Sequence, residues 1–173
     1  SAFPDLLGSM QGQLGRLYDV DVEHDVRDYL VTDRALLATL TAGNPGRSAD
    51  EQLIVVENGG AVDVALYLDQ GVLERLVAAD PRHGISGANL ADFWTVLEGV
   101  SHFHYLAWNA GFDKPVTLLE LEMQAEVDKY VSTRMLLQAP PDPPRGTRRA
   151  MRLLVEAAPV PALGGGEGCR EEA

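Results

Sequence analysis

The feature that most constrains this chain is a pair of long helical stretches placed back to back. Apolar residues recur at three- and four-residue spacing from Leu90 to Asn109 and again from Val116 to Gln138. Asn89 reads as a cap for the first stretch, and Pro115 suits the first turn of the second. Gly111-Phe-Asp-Lys114 between them is only long enough to reverse the chain, so residues 89–138 are expected to form an antiparallel helical hairpin.

The first of these helices is apolar nearly all round, through Leu90, Phe93, Trp94, Val96, Leu97, Val100, Phe103, Leu106 and Trp108, and is expected at the buried centre with both tryptophans in the core. Thr95, Glu98, His102, Tyr105 and Asn109 interrupt that surface as one narrow polar stripe, while His104 points to the other side. The second helix has one apolar face of Val116, Leu119, Met123, Val127, Tyr130 and Val131, and another of Leu118, Leu121, Ala125 and Leu136. Such a helix is sandwiched between layers or shared with a second subunit. Its polar stripes are Glu122, Glu126, Lys129 and Thr133 on one side, and Glu120, Gln124 and Asp128 on the other.

If the chain turns about Phe112, equal rise per residue sets His102 opposite Glu122 and Glu98 opposite Glu126. Three carboxylates and one imidazole would then meet in an apolar interior, a donor set suited to a divalent metal ion. The spacing departs from the di-iron pattern of helical bundles, which repeats Glu-x-x-His on two helices. The competing readings are a satisfied structural network, with His102 bonded to Glu122 and Lys129 compensating Glu126, or a register in which the stripes never meet.

The remainder of the fold is read from turn chemistry. Asn58-Gly59-Gly60 between Gln52–Val56 and Val62–Leu68 predicts a β-hairpin over about 52–68, with alternation in the second arm giving it one wet face. A first helix is expected over 3–18, then a strand or a helical turn over Val26–Val31 with strand preferred, a short helix capped by Asp33 through Leu40 and stopped by Gly43-Asn-Pro-Gly46, and another over 70–79. The expected class is α+β: a small antiparallel sheet packed against the helical hairpin, with shorter helices around it, in a single domain over 1–138. Residues 139–147 read as a Pro-rich linker, 148–158 as a short basic amphipathic helix and 159–173 as a flexible tail with Gly164-Gly-Gly166.

Composition narrows the function classes. Twenty-six acidic against 14 basic residues give a net charge of −12, which repels phosphate backbones and argues against nucleic-acid binding. The concentrated positive charge is Arg145, Arg148, Arg149 and Arg152, a candidate partner-binding segment that can also dock on the acidic body of its own chain. The lone Cys169 excludes an internal disulfide and a four-cysteine zinc site. No run of residues approaches the roughly 20 apolar positions of a membrane span, and the first residues present lack a secretory layout, so the expected location is cytoplasmic.

Other motifs lead nowhere specific. Asp19-Val-Asp-Val-Glu-His-Asp25 starts like a calcium loop, but His24 stands where a glycine is needed and Leu30 where a bidentate glutamate belongs, leaving a loose acidic patch or a solvated strand edge. Ser86, Ser101 and Ser132 lack a nucleophile-elbow setting, the four histidines show no zinc-hydrolase spacing, and Arg82-His83 reads as a solvated loop pair. The leading expectation is therefore a non-enzymatic interaction or regulatory protein that self-associates or holds a protein partner, without a cofactor. The alternative is a metal-binding protein or metal-dependent enzyme using Glu98, His102, Glu122 and Glu126.

Overall fold

Helix α1 (Ala2–Tyr18) buries Leu6, Leu7, Met10 and Leu14 along one face, the face expected from their spacing. Asp19 ends it in a left-handed conformation (φ 56°), and the chain folds back so closely that Val20 N–H reaches the Gly15 carbonyl at 2.9 Å. A Cβ at position 15 would lie 2.9 Å from the Val20 carbonyl oxygen, which explains the glycine. In the computed structural model the described residues are 2–41, 50–59 and 61–138. The Gly43–Gly46 stop and the expected linker, basic helix and tail of 139–173 lie outside them.

The strand expected over 26–31 is mostly something else. Asp25 accepts a hydrogen bond from Arg27 N–H and caps a 3-10 turn at Val26–Tyr29, leaving only Leu30–Val31 as strand β1. Helix α2 (Arg34–Leu40) is capped by Asp33, whose carboxylate accepts from Ala35 N–H. The hairpin forms as β2 (Glu51–Asn58) and β3 (Ala61–Leu68), with Gly59 at φ 57° in the turn and Glu51 paired with Leu68 at the open end. β1 adds to β3 in parallel, so the sheet is mixed, in the order β1-β3-β2.

The expected wet face of β3 is wet only near the turn. At its other end Leu66, Tyr67 and Leu68 are all fully buried, and Tyr67 brings its hydroxyl within reach of Arg34 and Asp69. Asp69 then caps α3 (Gln70–Ala78) through Gly71 and Val72 N–H.

The two long helices are α4 (Leu90–Ala110) and α5 (Leu118–Gln138), packed together as the expected hairpin. Asn89 does not cap α4 with its side chain. It instead accepts from Ser86 N–H and donates to the carbonyls of Ala79 and Gly84, bracing the loop beneath the helix. α5 starts two residues later than expected because Thr117 and Glu120 form a reciprocal cap: Glu120 accepts from Thr117 N–H at 2.8 Å, and Thr117 Oγ1 accepts from Glu120 N–H at 3.3 Å.

The core gathers the inner faces of α1, β3, α3 and α4, with Leu66, Leu73, Leu76, Phe93, Val96, Val100 and Phe103 almost inaccessible. Trp94 and Trp108 are corrections: both are exposed. Trp94 donates its indole N–H to Thr133 Oγ1 at 3.0 Å, and Trp108 packs against Tyr105 and Phe112. Among the described residues no helix is long and apolar enough to cross a membrane.

Candidate metal centre

α5 contributes little apolar surface to the core. Its buried residues are Ala125, Asp128 and Ser132, while Leu121, Val131, Met135 and Leu136 are half-buried. On one edge Asp128 accepts hydrogen bonds from Tyr18, from Ser101 at 2.6 Å and from Gln124 at 3.0 Å. Burial pushes the Asp128 carboxyl above the usual range despite these donors, and it holds the Tyr18 phenol far above its own. The phenol therefore keeps its proton and donates it.

On the other edge the turn about residues 111–117 sets α4 against α5 at the heights that equal rise requires. Glu98, His102 and Glu122 each place one ligand atom within 4.8 Å of the others. His102 is 5% exposed, and its Nε2 has no hydrogen-bond partner and faces Glu122 Oε1 at 4.0 Å. Burial alone would discharge this imidazole. The carboxylates of Glu51, Glu122 and Glu98 outweigh burial and hold its pKa above the ordinary histidine value.

Glu126, the fourth expected ligand, does not join them. It points to solvent and accepts from Lys129 Nζ at 2.8 Å, and the same ammonium pairs with Glu98 Oε2 at 2.5 Å. Burial opposes the Lys129 charge, but these two carboxylates more than compensate and raise its pKa. The expected Lys129–Glu126 pairing is thus present, with Glu98 added.

One participant has no local signal in the sequence. Glu51, at the start of β2, brings Oε1 to 3.6 Å from His102 Nδ1 and has no hydrogen-bond partner for that buried oxygen. The separation is an ion-pair distance a tenth of an ångström beyond hydrogen-bond reach, which a small rotation closes. Gly99 makes the approach possible: a Cβ there would lie 2.9 Å from both Glu51 Cγ and Leu66 Cδ1. Glu51, Glu98 and Glu122 supply three carboxylates around the imidazole against the ammonium of Lys129, which Glu126 shares from the solvent side.

The other expected features remain apart. The acidic stretch Asp19–Asp25 forms no converging ligand group among the described residues; Gln11 ties it down by donating to the His24 carbonyl and accepting from Val26 N–H. A groove of about 580 Å³ lies between α1 and this stretch, away from the Glu98–His102–Glu122 cluster, with His104 on its wall. Burial lowers the His104 pKa, and both its ring nitrogens lack partners. The segment carrying Arg145, Arg148, Arg149 and Arg152 lies outside the described residues. Comparison with protein-family models, with curated proteins and with solved structures finds no match.

Proposed function

We propose that the protein binds one divalent metal ion through Glu98, His102 Nε2 and Glu122. The observation that carries this reading is the buried, unpartnered Nε2 of His102 facing Glu122, with Glu98 in the same cluster, because a buried polar nitrogen left unpaired is costly unless something occupies it. The donor set of one imidazole and two carboxylates suits Zn²⁺, Mn²⁺ or Fe²⁺. Ligand atoms around an ion at about 2.0–2.2 Å stand roughly 3–4 Å apart, so the cluster needs to contract by about 1 Å. Glu122, with its side chain half exposed, is the ligand able to move. Lys129 on Glu98 Oε2 leaves the other oxygen of that carboxylate to bind.

Glu51 stands where a carboxylate would orient a metal-bound histidine: closing from 3.6 Å to receive Nδ1–H would fix the tautomer that presents Nε2. Three protein ligands leave coordination positions for water, the arrangement of reactive rather than purely structural sites, and Lys129 stands beside them as a candidate proton donor. Cobalt(II) titration of the full chain tests this. A visible d–d spectrum saturating at one equivalent, lost in His102→Ala, supports the site; identical titrations of parent and variant would refute it.

A second reading, association with protein, is favoured by a separate observation. The α5 face of Leu119, Met123, Val127 and Tyr130 points outward, with Leu119 68%, Met123 62% and Tyr130 69% exposed, and Leu137 extends the row. The single Cys169 is in keeping with the cytoplasmic location expected from the sequence.

A further inference from the structure

We propose that the occupant of the outward α5 face is a second copy of this chain, packed antiparallel about a two-fold axis at Tyr130; the proposal rests on the association reading above. Leu119, Met123, Glu126, Val127, Tyr130, Arg134 and Leu137 fall within about 100° of one another on a helix wheel, forming one continuous stripe down the helix. Apart from Glu126 and Arg134 the stripe is apolar, and every one of these seven residues is exposed.

The charges on the stripe complement themselves. Arg134 is exposed and has no ion-pair partner among the described residues, and Glu126, exposed four positions on the other side of Tyr130, holds Lys129 through Oε1 and has Oε2 left for a second cation. In an antiparallel pair, the register that brings Glu126 level with Arg134 of the second copy also brings Met123 level with Leu137 and stacks Tyr130 on its own equivalent. A single register thus forms the charged pair and the Met123–Leu137 contact, each twice by symmetry, and sets Tyr130 on its own equivalent. The reverse, parallel arrangement would set Glu126 on Glu126 and Arg134 on Arg134.

The exposed apolar side chains amount to roughly 500–600 Å² per chain at ordinary residue sizes, below the ~800 Å² per partner of a standard stable interface. A reversible, concentration-dependent dimer follows. The interface does not use Glu98, His102, Glu122 or Glu51; its link to the metal site is Lys129, which pairs with both Glu126 and Glu98.

Sedimentation velocity of the full chain from about 5 to 500 μM tests the proposal. The expected result is a monomer–dimer equilibrium that Arg134→Glu weakens at least tenfold and that Glu126→Arg combined with Arg134→Glu restores. Tyr130→Cys in a Cys169→Ser chain is expected to cross-link to itself under mild oxidation, while Val62→Cys in the same background, at an exposed site on the sheet, is not. A dimer indifferent to Arg134→Glu and without the Tyr130 cross-link would use another face and overturn the proposal. A monomer throughout would also overturn it. In that case bis-ANS binding abolished by Met123→Lys would leave the broader association reading standing, whereas no dye binding by the parent chain would remove that reading as well.

Discussion

Asp128 receives hydrogen bonds from Tyr18, Ser101 and Gln124 in a buried seam, so shortening it strands three donors at once. Asp128→Ala is expected to cost about 3 kcal/mol, and Asp128→Asn clearly less, by urea denaturation. Because burial raises the Asp128 pKa above its unfolded value of 3.8, the folded chain binds that proton more readily. Its contribution is therefore complete below that value and is lost as pH rises through the folded pKa, a slope that Asp128→Asn should remove. At the metal cluster, Glu51→Gln is expected to weaken metal binding 10- to 100-fold with the helices intact, measured by calorimetric titration and circular dichroism. Glu98, His102 and Glu122 were legible in the sequence because helical rise sets His102 level with Glu122 and helical spacing puts Glu98 one turn from His102 on the same face. Glu51 was not, since a strand residue meets His102 only through the packing of sheet on helix, and the Ser101–Asp128 pair is hidden for a similar reason, since only helix packing brings the two together.

Caps and close approaches decide where the elements begin and how they meet. Thr117→Ala removes half of the reciprocal cap on α5 and is expected to cost about 1 kcal/mol, with fraying at that end visible by hydrogen exchange. Gly99→Ala drives a methyl group into Glu51 and Leu66. It is expected to cost about 1–3 kcal/mol in thermal or chemical denaturation and to weaken metal binding by displacing Glu51. The hairpin of β2 and β3 and the pair α4–α5 were readable because Asn-Gly turns and long apolar periodicity are local signals. The end of α5 nearest the turn was misjudged through Pro115, although Thr117-x-x-Glu120 carried the stronger start signal. Over Val26–Val31 the preferred strand reading gives way to the helical turn at Val26–Tyr29, because the Asp25 side chain caps it, and only Leu30–Val31 pairs as β1.

Across the molecule, α1, β3, α3 and α4 carry the apolar core, while α5 adds only Ala125 and the edge of Leu136 to it and turns much of its own apolar surface outward. An ion held between Glu98 and His102 on α4 and Glu122 on α5 would fasten those two helices together. At a free concentration one hundred times its Kd it would add about 2.7 kcal/mol of stability. α5 amides are accordingly expected to exchange faster than those of the α4 centre and to slow selectively when metal is added. The acidic total of −12 does not specify this site, since most of those carboxylates lie elsewhere; what distinguishes it is a buried imidazole with no partner. The most direct test is elemental analysis of the untagged full chain purified without chelator, with parent and His102→Ala compared at equal concentration. Near one metal ion per chain in the parent and little in the variant is the predicted result. Metal absent from the parent, or retained equally by the variant, would contradict the proposal and return Glu98, His102 and Glu122 to the role of a structural network.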